Sequence, residues 1–345
     1  MSIVVTGNSN GTSQVQNLNL GFVGLGWIGR KRMEQLLTHP HITCSAIVEP
    51  EPEQAKKARH LAQGCRMLPD LDELLRDPSI DGVIIATPSA LHARQTIQAL
   101  EAGKAVFCQK PLGRNQQEVR EVITASSKAD QLVSIDLSYK FTRAFTSIYE
   151  ILQSGSTGKI FAVDLVFHNA YGPDKDWFYD LTQSGGGCVL DLGVHMLDLA
   201  LWSLDFPSIE QIESQLYHNG RIIEKNEEVV EDYASVMLRT RSGTVINLQC
   251  SWNLAAGRDA VIEAVFYGTK GSVAFRNVNG SFYDFTAEKY TGTQTELLVS
   301  PPDDWGGNAI LLWADAVIQG AGYNETTAQE FLQLTEIIDR IYGRS

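Results

Sequence analysis

Six residues, Gly24-Leu-Gly26-Trp27-Ile28-Gly29, constrain this chain most, because of what stands on either side of them. Before them Asn19-Leu-Gly-Phe-Val reads as a short buried strand; after them Arg30-Lys-Arg-Met-Glu-Gln-Leu-Leu has the apolar spacing of a helix. A strand that becomes a helix across G-x-G-x-x-G is a phosphate-binding turn. The first glycine permits the tight turn, the second lets a pyrophosphate approach the backbone, and the third lets helix pack on strand. N–H groups left free at the helix start then face the phosphate charge. A second strand-like run, Ile42 to Val48, ends in Glu49, which lies 20 residues beyond Gly29. An acidic side chain there suits the adenosine ribose hydroxyls, whereas a 2′-phosphate would meet Glu49, Glu51 and Glu53; NAD is favoured over NADP.

The alternation continues through helical patterns at Glu53–Gln63 and Leu71–Arg76, a strand at Gly82–Ala86, a helix at Leu91–Ala102, a strand at Ala105–Cys108 and a helix at Gln116–Ala129. Strands and helices taking turns predict a parallel doubly wound sheet, with ligands beyond the carboxyl ends of its strands. Two of those ends carry unusual residues: Thr87-Pro88 with His92, and Gln109-Lys110-Pro111. A lone lysine after a strand is ordinarily a solvated strand end. The proline behind it changes the weighting, because it fixes the direction of the chain.

From Ser138 a helical pattern running to about Gln153 crosses into a second domain. Strand-like runs follow at 160–168, 209–217, 233–239, 244–252, 260–267 and 272–275, with little helix between them except Cys188–Leu204. These predict a large, mainly antiparallel open sheet. The expected fold is α/β plus α+β: a disordered leader over 1–17, a Rossmann dinucleotide-binding domain over 18–138, and a substrate-binding and oligomerisation domain over 139–345. One broad sheet face free to pair with a second copy predicts a homodimer or homotetramer.

The chemistry is expected in Ser184-Gly-Gly-Gly-Cys-Val-Leu-Asp191-Leu-Gly-Val-His195-Met-Leu-Asp198. Residues four apart share a helix face, so Asp191 and His195 form a candidate acid/base pair. The same spacing also occurs in ordinary surface pairs. In the loop before the glycines, Tyr171 and Trp177 suit stacking on a sugar ring and equally suit anchoring the loop; Tyr139, at the start of the crossing helix, is a further substrate candidate.

A formal net charge of -13, without clustered Lys and Arg, argues against nucleic acid or an anionic membrane as partner. Five widely spaced cysteines and seven scattered histidines suggest neither a disulfide framework nor a metal site. The first 17 residues have neither the basic start nor the apolar core of a signal peptide, and no apolar run is long enough to span a bilayer; a cytoplasmic protein is expected.

Taken in order, Gly24 to Gly29, Ala86-Thr87-Pro88 with His92, Lys110-Pro111, and Gly185 to Asp198 resemble the Gfo/Idh/MocA family of nicotinamide-dependent oxidoreductases. The resemblance implies an NAD-dependent sugar or polyol dehydrogenase in which Lys110, Asp191 and His195 are catalytic. Together with the motif it gives a cofactor set of Gly24, Gly26, Trp27, Ile28, Gly29, Glu49, Thr87, Pro88, His92, Gln109 and Lys110. The sequence departs at Gln109, where the family usually has Glu; an amide can hydrogen-bond to a ribose or nicotinamide but brings no negative charge to Lys110. Two alternatives stand beside this reading: an NAD-assisted glycoside hydrolase or epimerase, and a non-catalytic NAD-binding regulator.

Overall fold

The computed structural model describes residues 17–224, 227–303 and 305–344; the expected disordered leader lies, but for residue 17, outside them. In chain order the first half contains β1 (Leu18–Val23), α1 (Trp27–Leu36), β2 (Ile42–Val48), α2 (Pro52–Leu61), β3 (Arg66–Leu68), α3 (Leu71–Leu75), β4 (Gly82–Ile85), α4 (Ser89–Glu101), β5 (Ala105–Cys108), α5 (Gln116–Ala129) and β6 (Val133–Ile135). The second half contains α6 (Arg143–Gln153), β7 (Ile160–Asn169), α7 (Leu181–Ser184), α8 (Val194–Ser203), β8 (Ile209–His218), β9 (Arg221–Ile222), β10 (Tyr233–Thr240), β11 (Val245–Ser251), β12 (Ala260–Gly268), β13 (Ser272–Asn277), β14 (Phe285–Thr291), β15 (Gln294–Val299), α9 (Asn308–Ile318) and α10 (Glu325–Ile341).

The chain forms two compact units. The first holds residues 17–113, 117–136 and 306–328. Its six strands are all parallel, in the order β3-β2-β1-β4-β5-β6. That is the doubly wound order whose chain reversal, between β1 and β4, opens a crevice at the carboxyl ends. β4 and β5 are buried along their whole length, as strands covered on both faces must be. The sequence division at 138/139 placed everything after it in the second domain, but α9 packs on β1, β5 and α1. The cause is its apolar face: Trp313, 1% exposed, tilts against Phe107 with ring centroids 5.8 Å apart.

The second unit holds 114–116, 137–305 and 329–344, built on a nine-stranded sheet ordered β15-β14-β13-β12-β7-β11-β10-β8-β9. It is antiparallel except where β11 runs parallel to β7. One face is covered by α6 and α8, whose Phe145 joins Phe266, Phe275 and Phe285 in the core. Two expectations about helices are corrected. The segment after Ser138 first makes a 3₁₀ turn, Ser138–Phe141, and α6 starts only after Thr142, whose hydroxyl accepts from the Phe145 N–H at 3.2 Å. The helix expected over Cys188–Leu204 opens as a π-turn, Val189–Gly193, before becoming α8.

The five cysteines are free thiols, yet Cys44 of β2 and Cys65 just before β3 bring their sulfurs to 2.8 Å, a pairing that their 21-residue separation gave no reason to expect. Among the described residues no helix is long and apolar enough to cross a membrane.

Candidate active site

The first unit gathers its share of the predicted residues at the carboxyl ends of β1, β2, β4 and β5. Gly24 has φ +81°, and a Cβ there would lie 2.6 Å from the Ala86 carbonyl oxygen. At Gly29 a Cβ would lie 2.3 Å from the Gly24 carbonyl oxygen, so α1 can dock only without one. A Cβ at Gly26 would meet nothing within 4 Å, which leaves the start of α1 open on the side where a ligand's phosphates would lie. Gly26 caps α1 without any side-chain bond, so no side chain from the cap competes for the first N–H groups. This cradle fits a dinucleotide pyrophosphate. Trp27 is 51% exposed beside it, and Ile28 is half-buried.

Glu49 is at the end of β2 as expected, and its carboxylate also shapes the loop. Oε2 accepts from the Leu25 N–H and Oε1 from the Glu51 N–H at 3.0 Å. Each oxygen keeps a further lone pair for a ribose hydroxyl. Arg30, which the sequence reading passed over, donates to the Leu25 carbonyl at 2.7 Å and to Gln54 Oε1.

His92 lies behind the strand ends rather than at their surface. It is 2% exposed, with Nδ1 2.7 Å from the Pro111 carbonyl oxygen and Nε2 2.6 Å from that of Thr87. Burial pulls the imidazole below its ordinary range, against the pull of the two carbonyls. The ring therefore braces the end of β4 against the cis Lys110–Pro111 bond after β5. Thr87 donates its hydroxyl to Gln95 Oε1 at 2.6 Å, Pro88 precedes α4 as its N-cap, and Lys110 is half-buried after β5. Gln109 is 7% exposed and donates its amide to Asp136.

The second unit holds Asp191 and His195. Asp191 falls in the π-turn, a wider helical turn that recurs at functional sites, and His195 in the first turn of α8. α8 is buried nearly all round because its sequence is apolar nearly all round, and His195 is left 8% exposed. Trp252 donates its indole N–H to Asp191 Oδ2 at 3.0 Å. That indole is held by the loop the sequence offered as a substrate rim: Phe178 and Tyr179 set their rings against Trp252 at 6.3 and 5.7 Å. Trp177 stacks on Phe178 at 3.8 Å, and Tyr171 is 57% exposed with its hydroxyl donating to Asp259 at 2.6 Å. Tyr139 is a packing residue, 4% exposed, with its ring edge-on to His195 at 5.0 Å and Phe285 at 5.5 Å.

Two residues that the sequence reading did not single out, Glu231 and Tyr342, fix the start of this helix. The Glu231 carboxylate, 1% exposed, accepts from the Gly187 N–H at 2.8 Å, the Val189 N–H at 2.9 Å and the Tyr342 hydroxyl at 2.8 Å. Burial pushes its carboxyl up and these donors hold it down. A Cβ at Gly187 would lie 1.9 Å from the Glu231 carbonyl oxygen, which accounts for a glycine there. Lower on α8, Asp198 is paired in the interior with Lys140 Nζ at 3.0 Å. Burial pushes the Asp198 carboxyl up against the pull of Lys140.

A parallel sheet in the dinucleotide-binding order, together with a second unit built on a large, mainly antiparallel sheet, defines a two-unit α/β architecture with a dinucleotide-binding first unit. Family models agree: residues 18–137 match the oxidoreductase family with NAD-binding Rossmann fold, and residues 145–274 match the GFO/IDH/MocA C-terminal domain. The chain belongs to the Gfo/Idh/MocA family. It is 26% identical over 276 residues to a myo-inositol 2-dehydrogenase of Thermotoga maritima, covering 79% of each chain. It is 26% identical over 289 residues to a levoglucosan dehydrogenase of Pseudarthrobacter phenanthrenivorans, covering 76% of this chain and 74% of the relative. A levoglucosan dehydrogenase solved with NADH and levoglucosan shares the fold at a TM-score of 0.80, with 23% identity over 95% of this chain and 96% of the other. GenD2 from gentamicin A biosynthesis, solved with NAD, does so at 0.80 and 24% identity, over 97% and 96%.

Proposed function

We propose that this protein reversibly oxidises a secondary alcohol of a sugar, sugar derivative or cyclitol, with NAD as acceptor. The observation that carries the reading is Asp191 held by the Trp252 indole four residues before His195, in a chain whose glycine cradle fits a dinucleotide. Relatives named as inositol and levoglucosan dehydrogenases support the substrate class.

When bound, the nicotinamide supplies the acceptor for the hydrogen leaving the carbinol carbon with its electron pair. Gly24, Gly26 and Gly29 admit the pyrophosphate to the start of α1, where Trp27 and Ile28 flank it, and Glu49 takes the adenosine ribose. Thr87, Pro88, Gln109 and Lys110 line the nicotinamide end, with His92 bracing them from behind. His195 takes the hydroxyl proton as general base. Asp191, its carboxylate aimed by Trp252, orients the imidazole or binds a neighbouring hydroxyl. Lys110 stabilises the charge that grows on the substrate oxygen. Tyr171 and Trp177 offer faces to the sugar, and Tyr139 supports the imidazole through its edge-on contact.

The test is to offer sugars, sugar acids and inositols with NAD and follow NADH absorbance, beside NADH binding to the purified protein. Net NADH formation from at least one polyol is expected. Binding of NADH with no reduction by any of them, or consumption of a glycoside without net NADH, would overturn the reading.

The open face of the second sheet presents Glu213, Gln215, Met237, Gln249 and Tyr267 around a shallow hollow. We infer that a second copy covers it. Mass in solution is expected to be that of a dimer or tetramer; a monomer at micromolar concentration would count against this pairing.

A further inference from the structure

Gln109 and Asp136 occupy neighbouring strand ends. The Gln109 N–H donates to the Ile85 carbonyl at 2.8 Å, and the Asp136 N–H donates to the Cys108 carbonyl at 2.9 Å. Their side chains meet in the interior: Gln109 Nε2 donates to Asp136 Oδ2, and Arg32 Nε donates to the same oxygen at 2.5 Å. Exposure is 7% for Gln109, 2% for Asp136 and 2% for Arg32. Arg32 belongs to α1, the helix that starts at the glycine cradle, and its guanidinium packs within 2.5 Å of where a Cβ of Gly306 would stand.

The charges in this cluster follow from chemistry. A guanidinium does not lose its proton in a protein, and Asp136 is a carboxylate that its Nε meets in the interior. An ionised carboxylate only accepts, so the Gln109 amide must turn Nε2 toward it. The amide oxygen then points the other way, as a neutral acceptor at the carboxyl end of β5. A glutamate at 109 would have put a second carboxylate on the same buried guanidinium, and two like charges in a dry site oppose each other's ionisation.

We propose that in this protein the carboxylate that meets the buried Arg32 stands one strand over from residue 109: Asp136 carries the charge that a glutamate at 109 would duplicate, which is why an amide stands at 109. Asp136 is a positioning residue, and Gln109, aimed by it, accepts a hydrogen bond from the bound dinucleotide. The inference deepens the cofactor part of the proposed function. Because its test reads NADH affinity instead of turnover, it can fail while the dehydrogenase reading stands, and the reverse.

The experiment compares NADH dissociation constants, from fluorescence, and melting temperatures for Gln109→Glu, Asp136→Asn, their double variant and Gln109→Leu. Each of the first two is expected to lose about tenfold or more in NADH affinity, one by crowding carboxylates and the other by removing the carboxylate that Arg32 Nε meets. The double variant restores one carboxylate and one amide, and is expected to bind NADH within about threefold of the parent protein, far from additive. Gln109→Leu keeps the Arg32–Asp136 pair and tests the acceptor alone, with an expected loss of about tenfold at a nearly unchanged melting temperature. A double variant that is unfolded, or that binds as weakly as the two single losses combined, would overturn the exchange. Gln109→Leu binding within about twofold of the parent would overturn the acceptor role.

Discussion

Replacing His195 with asparagine is expected to lower kcat by about a hundredfold or more, the usual worth of a positioned general base, while NADH still binds. NADH binding is expected to survive because the glycine cradle and Glu49, proposed to hold the dinucleotide, are left untouched by the substitution. Lys110→Met is expected to cost a similar factor of about a hundred, by removing the cation that meets charge growing on the substrate oxygen. Loss in kcat with little change in KM would mean that the removed group acts in the transition state rather than in holding the substrate. Packing sets a limit on the choice of substitution. The His195 ring lies 5.0 Å from the Tyr139 ring centroid on a buried helix, so alanine would open a cavity and confuse lost chemistry with lost packing. Asparagine keeps a polar side chain of smaller size. Steady-state kinetics on a substrate found by the NADH screen, with melting temperature as control, checks the assignment. A folded His195→Asn protein retaining kcat within about threefold of the parent would remove His195 as the base.

What could be read from the sequence was what local chemistry declares. Gly24, Gly26 and Gly29 announce a turn because each glycine answers a steric demand within a few residues, and the structure shows those demands as contacts with Ala86, open space, and Gly24. The parallel sheet was legible because strands with both faces covered are apolar throughout. By contrast β14 and β15 were missed: Phe-Thr-Ala-Glu-Lys-Tyr-Thr and Gln-Thr-Glu-Leu-Leu-Val carry their polar residues into a sheet margin, where β15 is mostly exposed. The π-turn was unreadable for a different reason. Its spacing of Asp191 and His195 is compatible with an α-helix, and what widens the turn is not written in it.

Long-range partners are the larger omission. Trp252 holds Asp191 across 61 residues, and Asp136 holds Gln109 across 27. Each looks ordinary in its own neighbourhood, Trp252 as the end of a strand and Asp136 as a polar residue after one. Gln109 was legible as a departure from the family's glutamate, but the carboxylate opposite it became visible only once β5 and β6 were side by side.

Glu231→Ala is expected to lower the unfolding free energy by about 3 kcal/mol or more. The carboxylate has two opposing effects. Burying an ion costs several kcal/mol, which alanine would recover. Against this, hydrogen bonds to a charged group are worth about 1.5–3 kcal/mol each, and alanine abandons the bonds from Gly187, Val189 and Tyr342 together. It also leaves those donors in an interior where Glu231 itself is only 1% exposed, cut off from bulk water. The lost bonds therefore outweigh the recovered desolvation. Gly187 and Val189 sit at the start of the π-turn, so the carboxylate also offsets the positive end of the helix that carries Asp191 and His195. Glu231→Gln retains an acceptor for one pair but turns an N–H toward another donor, and is expected to fall between the parent protein and alanine. Chemical denaturation of the three proteins, followed by near-ultraviolet circular dichroism, measures the order. An alanine variant within about 1 kcal/mol of the parent would mean that water or a neighbouring group takes over the three donors, and that this end of the helix does not depend on Glu231.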